Sequence, residues 1–172
     1  ALPGRGRRGR ACHNREDAID GGRAVGETAL NHGTGSETAS GRRHVHLGRV
    51  RFADLDPLNH VNNVRMLTYL EDARVAFLRW DEEGDRKIFG DLVVARHEAD
   101  YLRPLTLRRA PFRVETWVTG IRNASFTLRY EILDDEAVYL RALSVLVAYD
   151  LAEQCPRRLT PAERAHLEQY LA

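Results

Sequence analysis

Phe52-Ala53-Asp54-Leu55-Asp56-Pro57-Leu58-Asn59-His60-Val61-Asn62-Asn63 runs straight into VRMLTYLEDARVAFLRW, residues 64–80. The second stretch is a helix by its spacing. Val64, Leu67, Leu70, Ala73, Phe77 and Trp80 recur every three or four residues. Met66, Tyr69, Ala76 and Leu78 thicken that stripe, which predicts a helix buried over most of its surface. Glu71, Asp72, Arg74 and Arg79 remain as a polar edge, with Glu71 and Arg74 three apart and able to pair. The first stretch sets two carboxylates, an imidazole and three carboxamides at the mouth of that helix. Polar groups at that density make either an elaborate cap or an active site.

Upstream, Val45, Leu47, Val50 and Phe52 predict a first strand over about 44–52. Downstream of a polar loop at 81–91 the pattern becomes that of strands. Leu92 to about Tyr101 is one, and Pro104 helps to end it. In 111–119, Phe112, Val114, Thr116 and Val118 alternate with Arg113, Glu115, Trp117 and Thr119. A hairpin turn at 120–123 follows, and then Phe126, Leu128, Tyr130 and Ile132 alternate in the same way. Asp134-Asp135-Glu136 turns the chain into a last strand over 137–149. That strand is continuously apolar around 143–148, as a central strand is. Pro156 breaks the chain. Thr160, Pro161 and Glu163 then read as N-cap, N1 and N3 of a short C-terminal helix. The expected fold is α+β: a five-stranded antiparallel sheet wrapped around one long central helix. One sheet and one helix leave a face or an edge in need of cover, so a homodimer or homotetramer is expected.

A chain of 172 residues is long enough for one domain with a substantial core. Residues 1–43 are a different material, rich in Gly, Arg, Ser and Thr, with eight Arg against five acids. They cannot bury enough apolar surface to offset the entropy of ordering, so a disordered tail over 1–43 and a folded domain over 44–172 are expected. The net charge of +1 points to no particular partner, but the tail carries +3 and leaves the remainder at −2, so the body is not a polyanion binder by charge, and nucleic-acid binding through the tail is a minor reading. Lys87 is the only lysine, which reads as compositional bias. Cys12 and Cys155 lack metal-site spacing, and a bridge between them is not expected. With no secretory h-region and no apolar run of membrane-spanning length, a cytoplasmic protein without membrane contact is expected.

The motif Asp54-x-Asp56-Pro57-x-x-His60-Val61-Asn62-Asn63, the helix phrase Tyr69-Leu70-Glu71-x-Ala73-Arg74 and the later Tyr101-Leu102-Arg103-Pro104-Leu105 resemble the hot-dog-fold acyl-CoA thioesterases. The likeness covers roughly 44–160 and is to the branch of 4-hydroxybenzoyl-CoA and acyl-carrier-protein thioesterases. It implies the hot-dog fold and hydrolysis of an acyl-CoA or acyl-carrier-protein thioester. By that resemblance Asp56 is catalytic and the backbone N–H of Asn63 polarises the thioester carbonyl. His60 matches the carrier-protein branch, whereas Leu58 stands where that branch has Asn. The 4-hydroxybenzoyl pattern has a Gly at the place of Leu58 or Asn59.

These residue types suit the chemistry. A thiol of pKa near ~8.5 leaves readily, so a carboxylate and an oxyanion donor can suffice. Asp56 would attack the carbonyl or deprotonate water. Pro57 biases it away from helical angles. Free N–H groups at a helix start suit an oxyanion. His60 would orient water, hold Asp56 or bond the thioester. Asn62 and Tyr69 are candidates to touch substrate, although Asn62 also reads as a cap and Asp56 as a loop brace. Asp54 reads as a loop residue. Arg103, Arg108, Arg109, Arg122, Arg157 and Arg158 are candidates for CoA phosphates. No metal motif or phosphate-cradling glycine loop is present, so no metal and no cofactor beyond the CoA of the substrate are expected. A non-catalytic acyl-binding module of the same fold is the alternative.

Overall fold

The computed structural model describes residues 41–79 and 88–172. The chain forms β1 (His44–Gly48), a single 3-10 turn (Phe52–Asp54), α1 (Asn63–Arg79), β2 (Leu92–Tyr101), β3 (Phe112–Ile121), β4 (Ser125–Leu133), β5 (Val138–Asp150), a two-residue β6 (Cys155–Pro156) and α2 (Pro161–Glu168). The sheet is antiparallel in the order β1-β3-β4-β5-β2, with β6 pairing onto the end of β5. This is the expected hot-dog arrangement.

Strand alternation decides which face meets the helix. Phe112, Val114, Thr116 and Val118 of β3 are buried. So are Phe126, Leu128, Tyr130 and Ile132 of β4, and Leu140, Ala142, Ser144, Leu146 and Ala148 of β5. Against them α1 packs Met66, Tyr69, Leu70, Ala73, Phe77 and Leu78. The helix is less covered than its pattern predicts. Val64 is 68% and Val75 44% exposed, because among the described residues nothing packs on their side. The expected contact of Trp80 lies outside the described residues.

The first strand is shorter than the predicted 44–52. It ends at Gly48, which sits opposite Phe112 in the β1–β3 register. A Cβ there would collide with the buried Phe112 ring, so the strand can approach only without a side chain. Residues 52–54 then coil into the 3-10 turn and leave Phe52 exposed. At the other end of the sequence, Thr160 accepts from the Glu163 N–H at 3.2 Å and donates its own N–H to Glu163 at 2.7 Å. The predicted capping box is therefore formed, and it starts α2.

Most of the tail predicted over 1–43 lies outside the described residues, but its last three residues are docked. Arg43 lies 4.0 Å over the Trp117 ring and pairs with Glu115 and Glu131. Cys155 is disulfide-bonded, where the sequence reading expects no bridge. No helix among the described residues is long and apolar enough to cross a membrane.

Candidate active site

The polar loop closes on itself before it enters α1. The Asp56 N–H donates to the His60 carbonyl at 2.8 Å and the Asn59 N–H to the Asp56 carbonyl at 3.0 Å. Asp56 Oδ1 accepts the N–H groups of Leu58 at 2.8 Å and His60 at 3.1 Å. The turn needs one residue in the left-handed region, and Asn59 takes it with φ 59°. Asparagine tolerates that conformation better than most residues, and glycine tolerates it best. The Val61 N–H then donates to the Leu105 carbonyl at 2.7 Å, pinning the loop to the segment after β2.

Underneath lies Asp54, which is 1% exposed. Its Oδ2 accepts the Arg51 N–H at 2.9 Å and the Tyr69 hydroxyl at 2.6 Å, and its Oδ1 accepts the Arg51 guanidinium at 3.0 Å. Burial pushes this carboxyl's pKa up, but the hydrogen bonds from Arg51 and Tyr69 prevail and hold it at about 2. Burial and the Asp54 carboxylate push the Tyr69 hydroxyl up, so it stays a donor. By sequence alone Asp54 is a plain loop residue and Tyr69 a substrate contact. In the fold the two side chains brace the loop from below, and Tyr69 is only 6% exposed. An Asp fifteen residues before an inward-facing helical Tyr carries no local signal of that pairing.

The first turn of α1 can be accounted for donor by donor. The Asn62 N–H goes to the Asp54 carbonyl at 2.9 Å, and the Asn62 carboxamide oxygen accepts the Val64 N–H at 2.9 Å. The Asn62 carbonyl accepts from Arg65 at 2.8 Å and Met66 at 3.2 Å. Asn62 is thus the N-cap of α1, and its side-chain oxygen is taken. The Asn63 N–H has no acceptor among the described residues. The Asn63 carbonyl accepts the Tyr101 hydroxyl at 3.2 Å, which ties the end of β2 to this helix start.

Asp56, His60 and Asn63 therefore lie on one braced turn. The Asp56 carboxylate is anchored through Oδ1, and no hydrogen bond within the described residues reaches its Oδ2. His60 is fixed by its main chain at both ends, and its half-buried imidazole makes no hydrogen bond within the described residues. Chemically the arrangement offers a carboxylate oxygen, an imidazole and a main-chain donor at the positive end of a seventeen-residue helix.

Two of the phosphate candidates are committed elsewhere. Arg108 pairs with Asp134, and Arg157 makes a two-pronged bond to Glu163 at 2.7 and 2.8 Å. Among the described residues no group of three or more His, Cys, Asp or Glu gathers as a metal site would.

A family model described as the Thioesterase-like superfamily matches residues 50–169. A solved thioesterase from Thermus thermophilus, complexed with coenzyme A and Zn, is 34% identical. The match covers 72% of this chain and 90% of that one, with a TM-score of 0.60. A predicted thioesterase from Bacillus stearothermophilus shares the fold at 21% identity, with a TM-score of 0.69 over 76% of this chain and 98% of that one. Among curated proteins, the uncharacterized protein YsmA of Bacillus subtilis (strain 168) is 28% identical over 96 residues. That is 55% of this chain and 65% of YsmA, so the chain spans less than two thirds of that relative.

Proposed function

This chain belongs to the Thioesterase-like superfamily, and from that premise we propose that it hydrolyses an acyl thioester of CoA, or of an acyl-carrier protein, to free acid and thiol. One observation carries the reading: the N–H of Asn63 at the helix start, which meets no acceptor among the described residues, on the same braced turn as the Asp56 carboxylate. The thioester carbonyl oxygen would accept from the Asn63 N–H, and the negative charge that develops on it would be stabilised by the helix terminus. Asp56, held by Oδ1, would use Oδ2. It would either take a proton from water, which then attacks the carbonyl carbon, or attack directly to form a mixed anhydride that water opens. In both routes the C–S bond breaks and the thiolate leaves. His60 would orient the water or the thioester. The thioesterase of Thermus thermophilus holding coenzyme A supports CoA as the carrier. The only cofactor proposed is that CoA, and it is part of the substrate.

The assembly proposed is a homodimer or homotetramer. Two features support it: β2 is an edge strand ten residues long with Val93 and Val94 exposed, and the loop rim at Phe52, Leu58 and Val64 is apolar and open. Light scattering on the purified chain should give twice or four times the monomer mass.

Thiol release from short, medium, long and aromatic acyl-CoAs tests the function. Release from at least one of them supports hydrolysis. A folded protein that binds acyl-CoA and releases no thiol would instead be an acyl-binding module. The two N–H bonds that Asp56 makes as a loop brace favour keeping that second reading in view.

A further inference from the structure

Between β2 and β3 the chain leaves the sheet at Tyr101 and rejoins it at Phe112. The first part of that crossing, Tyr101 to Arg108, lies along the polar loop as a strap. It meets the loop at three successive places. The Tyr101 hydroxyl donates to the Asn63 carbonyl at 3.2 Å. The Leu105 carbonyl accepts the Val61 N–H at 2.7 Å, and Thr106 forms an isolated antiparallel bridge with His60. The Leu105 side chain is buried, so the middle of the strap is also plugged into the core.

Both ends of the strap are fastened to the β4–β5 hairpin. At the near end the N–H groups of Leu102 and Arg103 donate to the Tyr139 carbonyl at 2.9 and 3.2 Å. At the far end the Arg108 guanidinium donates to Asp134 Oδ2, and to the Tyr139 hydroxyl at 2.9 Å. That hydroxyl closes the triangle by donating to Asp134 Oδ2 at 2.6 Å. Asp134 Oδ1 separately accepts the N–H groups of Glu136 and Ala137, each at 2.8 Å. The two Oδ1 bonds are enough to cap the turn. The Oδ2 bonds, one of them between charges, tie down a segment the turn itself does not need. Burial pushes the Asp134 carboxyl up, but the Tyr139 hydroxyl and the Arg108 guanidinium outweigh it and hold its pKa well below the ordinary carboxylate range. We propose that Arg108, Asp134 and Tyr139 are positioning residues for thioester cleavage: they hold the strap, and through Leu105 and Thr106 the strap sets where His60 stands relative to Asp56. No atom of the three touches the substrate. Their effect reaches the chemistry through the main chain of His60 and Val61.

The inference rests on the thioesterase reading and is tested so that the two can fail separately. Asp134→Asn keeps an oxygen for the turn N–H groups and puts an amide where Arg108 needs an acceptor, so the turn stays and the strap loses its anchor. The double variant Arg108→Met/Asp134→Asn removes both charges and leaves neither buried alone. On an acyl-CoA that the wild type cleaves, kcat should fall by about 10-fold or more in both proteins, since a small misplacement far from the chemistry is costly. KM should move far less. The double variant should lose no more than Asp134→Asn, as residues acting as one unit do. A lower melting temperature with kcat unchanged in the folded variants would mark the node as structural only and overturns the proposal. Amide exchange and NMR shifts read the loop without turnover. In Asp134→Asn the Val61 N–H should exchange at least about 10-fold faster, and the His60 and Val61 signals should move. The Val118 N–H, bonded to the Tyr170 carbonyl at 2.9 Å, should stay as it is. Loop amides that do not move overturn the proposal whatever happens to kcat. If the wild type cleaves no thioester, the hydrolase reading fails by itself, and the exchange of Val61 alone decides whether the strap holds the loop.

Discussion

The Tyr69 hydroxyl donates to Asp54 Oδ2 at 2.6 Å, joining the second turn of α1 to the buried floor of the loop that carries Asp56 and His60. Tyr69→Phe leaves a buried carboxylate with one donor fewer. The expected cost is about 1–3 kcal/mol, typical of a bond to a charged group that burial leaves short. Urea unfolding measures it. An unchanged midpoint would show that the loop does not depend on this strut.

Asp56 has two tasks that one pair of substitutions can separate. Asp56→Asn keeps an oxygen for the Leu58 and His60 N–H groups and removes the charge. Asp56→Ala removes both. Thioester turnover should fall by at least ~10²-fold in each, on the scale of positioned acid–base catalysis. Only Asp56→Ala should also lose stability. Full activity in Asp56→Asn would assign the carboxylate to bracing alone.

The Asn63 N–H can be deleted without touching a side-chain contact. Asn63 is the first residue of α1, where proline is well tolerated because that N–H has no helical acceptor. The preceding residue must then be extended, as an N-cap is. Asn63→Pro should fold and lose on the order of 10²–10³-fold in kcat if this donor meets the oxyanion. Asn63→Ala, which keeps the N–H, should lose far less. Equal rates in the two variants would place the oxyanion elsewhere.

Acid should unfold the protein in a defined window. Asp54 and Glu163, each 1% exposed, both have folded pKa values of about 2, below their ordinary values of 3.8 and 4.5. For Glu163 burial acts upward, and the Arg157 guanidinium with the N–H groups of Thr160 and Gly90 outweighs it. A depressed folded pKa means that stability is fully present above the unfolded pKa and is lost as pH falls through the folded value. Each group therefore contributes roughly 2–3 kcal/mol at neutral pH, which disappears between about pH 4 and 2. Glu163→Gln should remove its share at pH 7 and flatten that slope, as read by urea midpoints across the window. A stability profile flat between about pH 5 and 2 would contradict both assignments.

The strand and helix order was legible because alternation and three-to-four spacing are properties of single segments. Every inward residue predicted for β3 and β4 is buried. What was not legible depends on partners distant in sequence. Val64 belongs to the apolar stripe of α1 yet stands open, since burial is decided by what packs against a face and not by the face itself. Asp54 carries no sign of its role because its strut arrives from a helix and its cap from Arg51. β1 stops at Gly48 because its partner β3 begins opposite it at Phe112, a limit set by a strand far along the chain. At the site, the residue types and the helix start were readable, whereas the separate fate of each first-turn N–H needed coordinates.

The register of the sheet also sets an order of assembly. The β3–β4 and β4–β5 hairpins join neighbours in sequence and close with little loss of chain entropy. His44 must wait for Thr116, some seventy residues downstream. The loop from Asp54 to Asn63 hangs directly on that late-arriving strand. A chain that has collapsed around its hairpins, with most of its native secondary structure, would still lack a place for chemistry. In refolding experiments turnover should lag behind the far-ultraviolet signal, so that activity times the docking of β1.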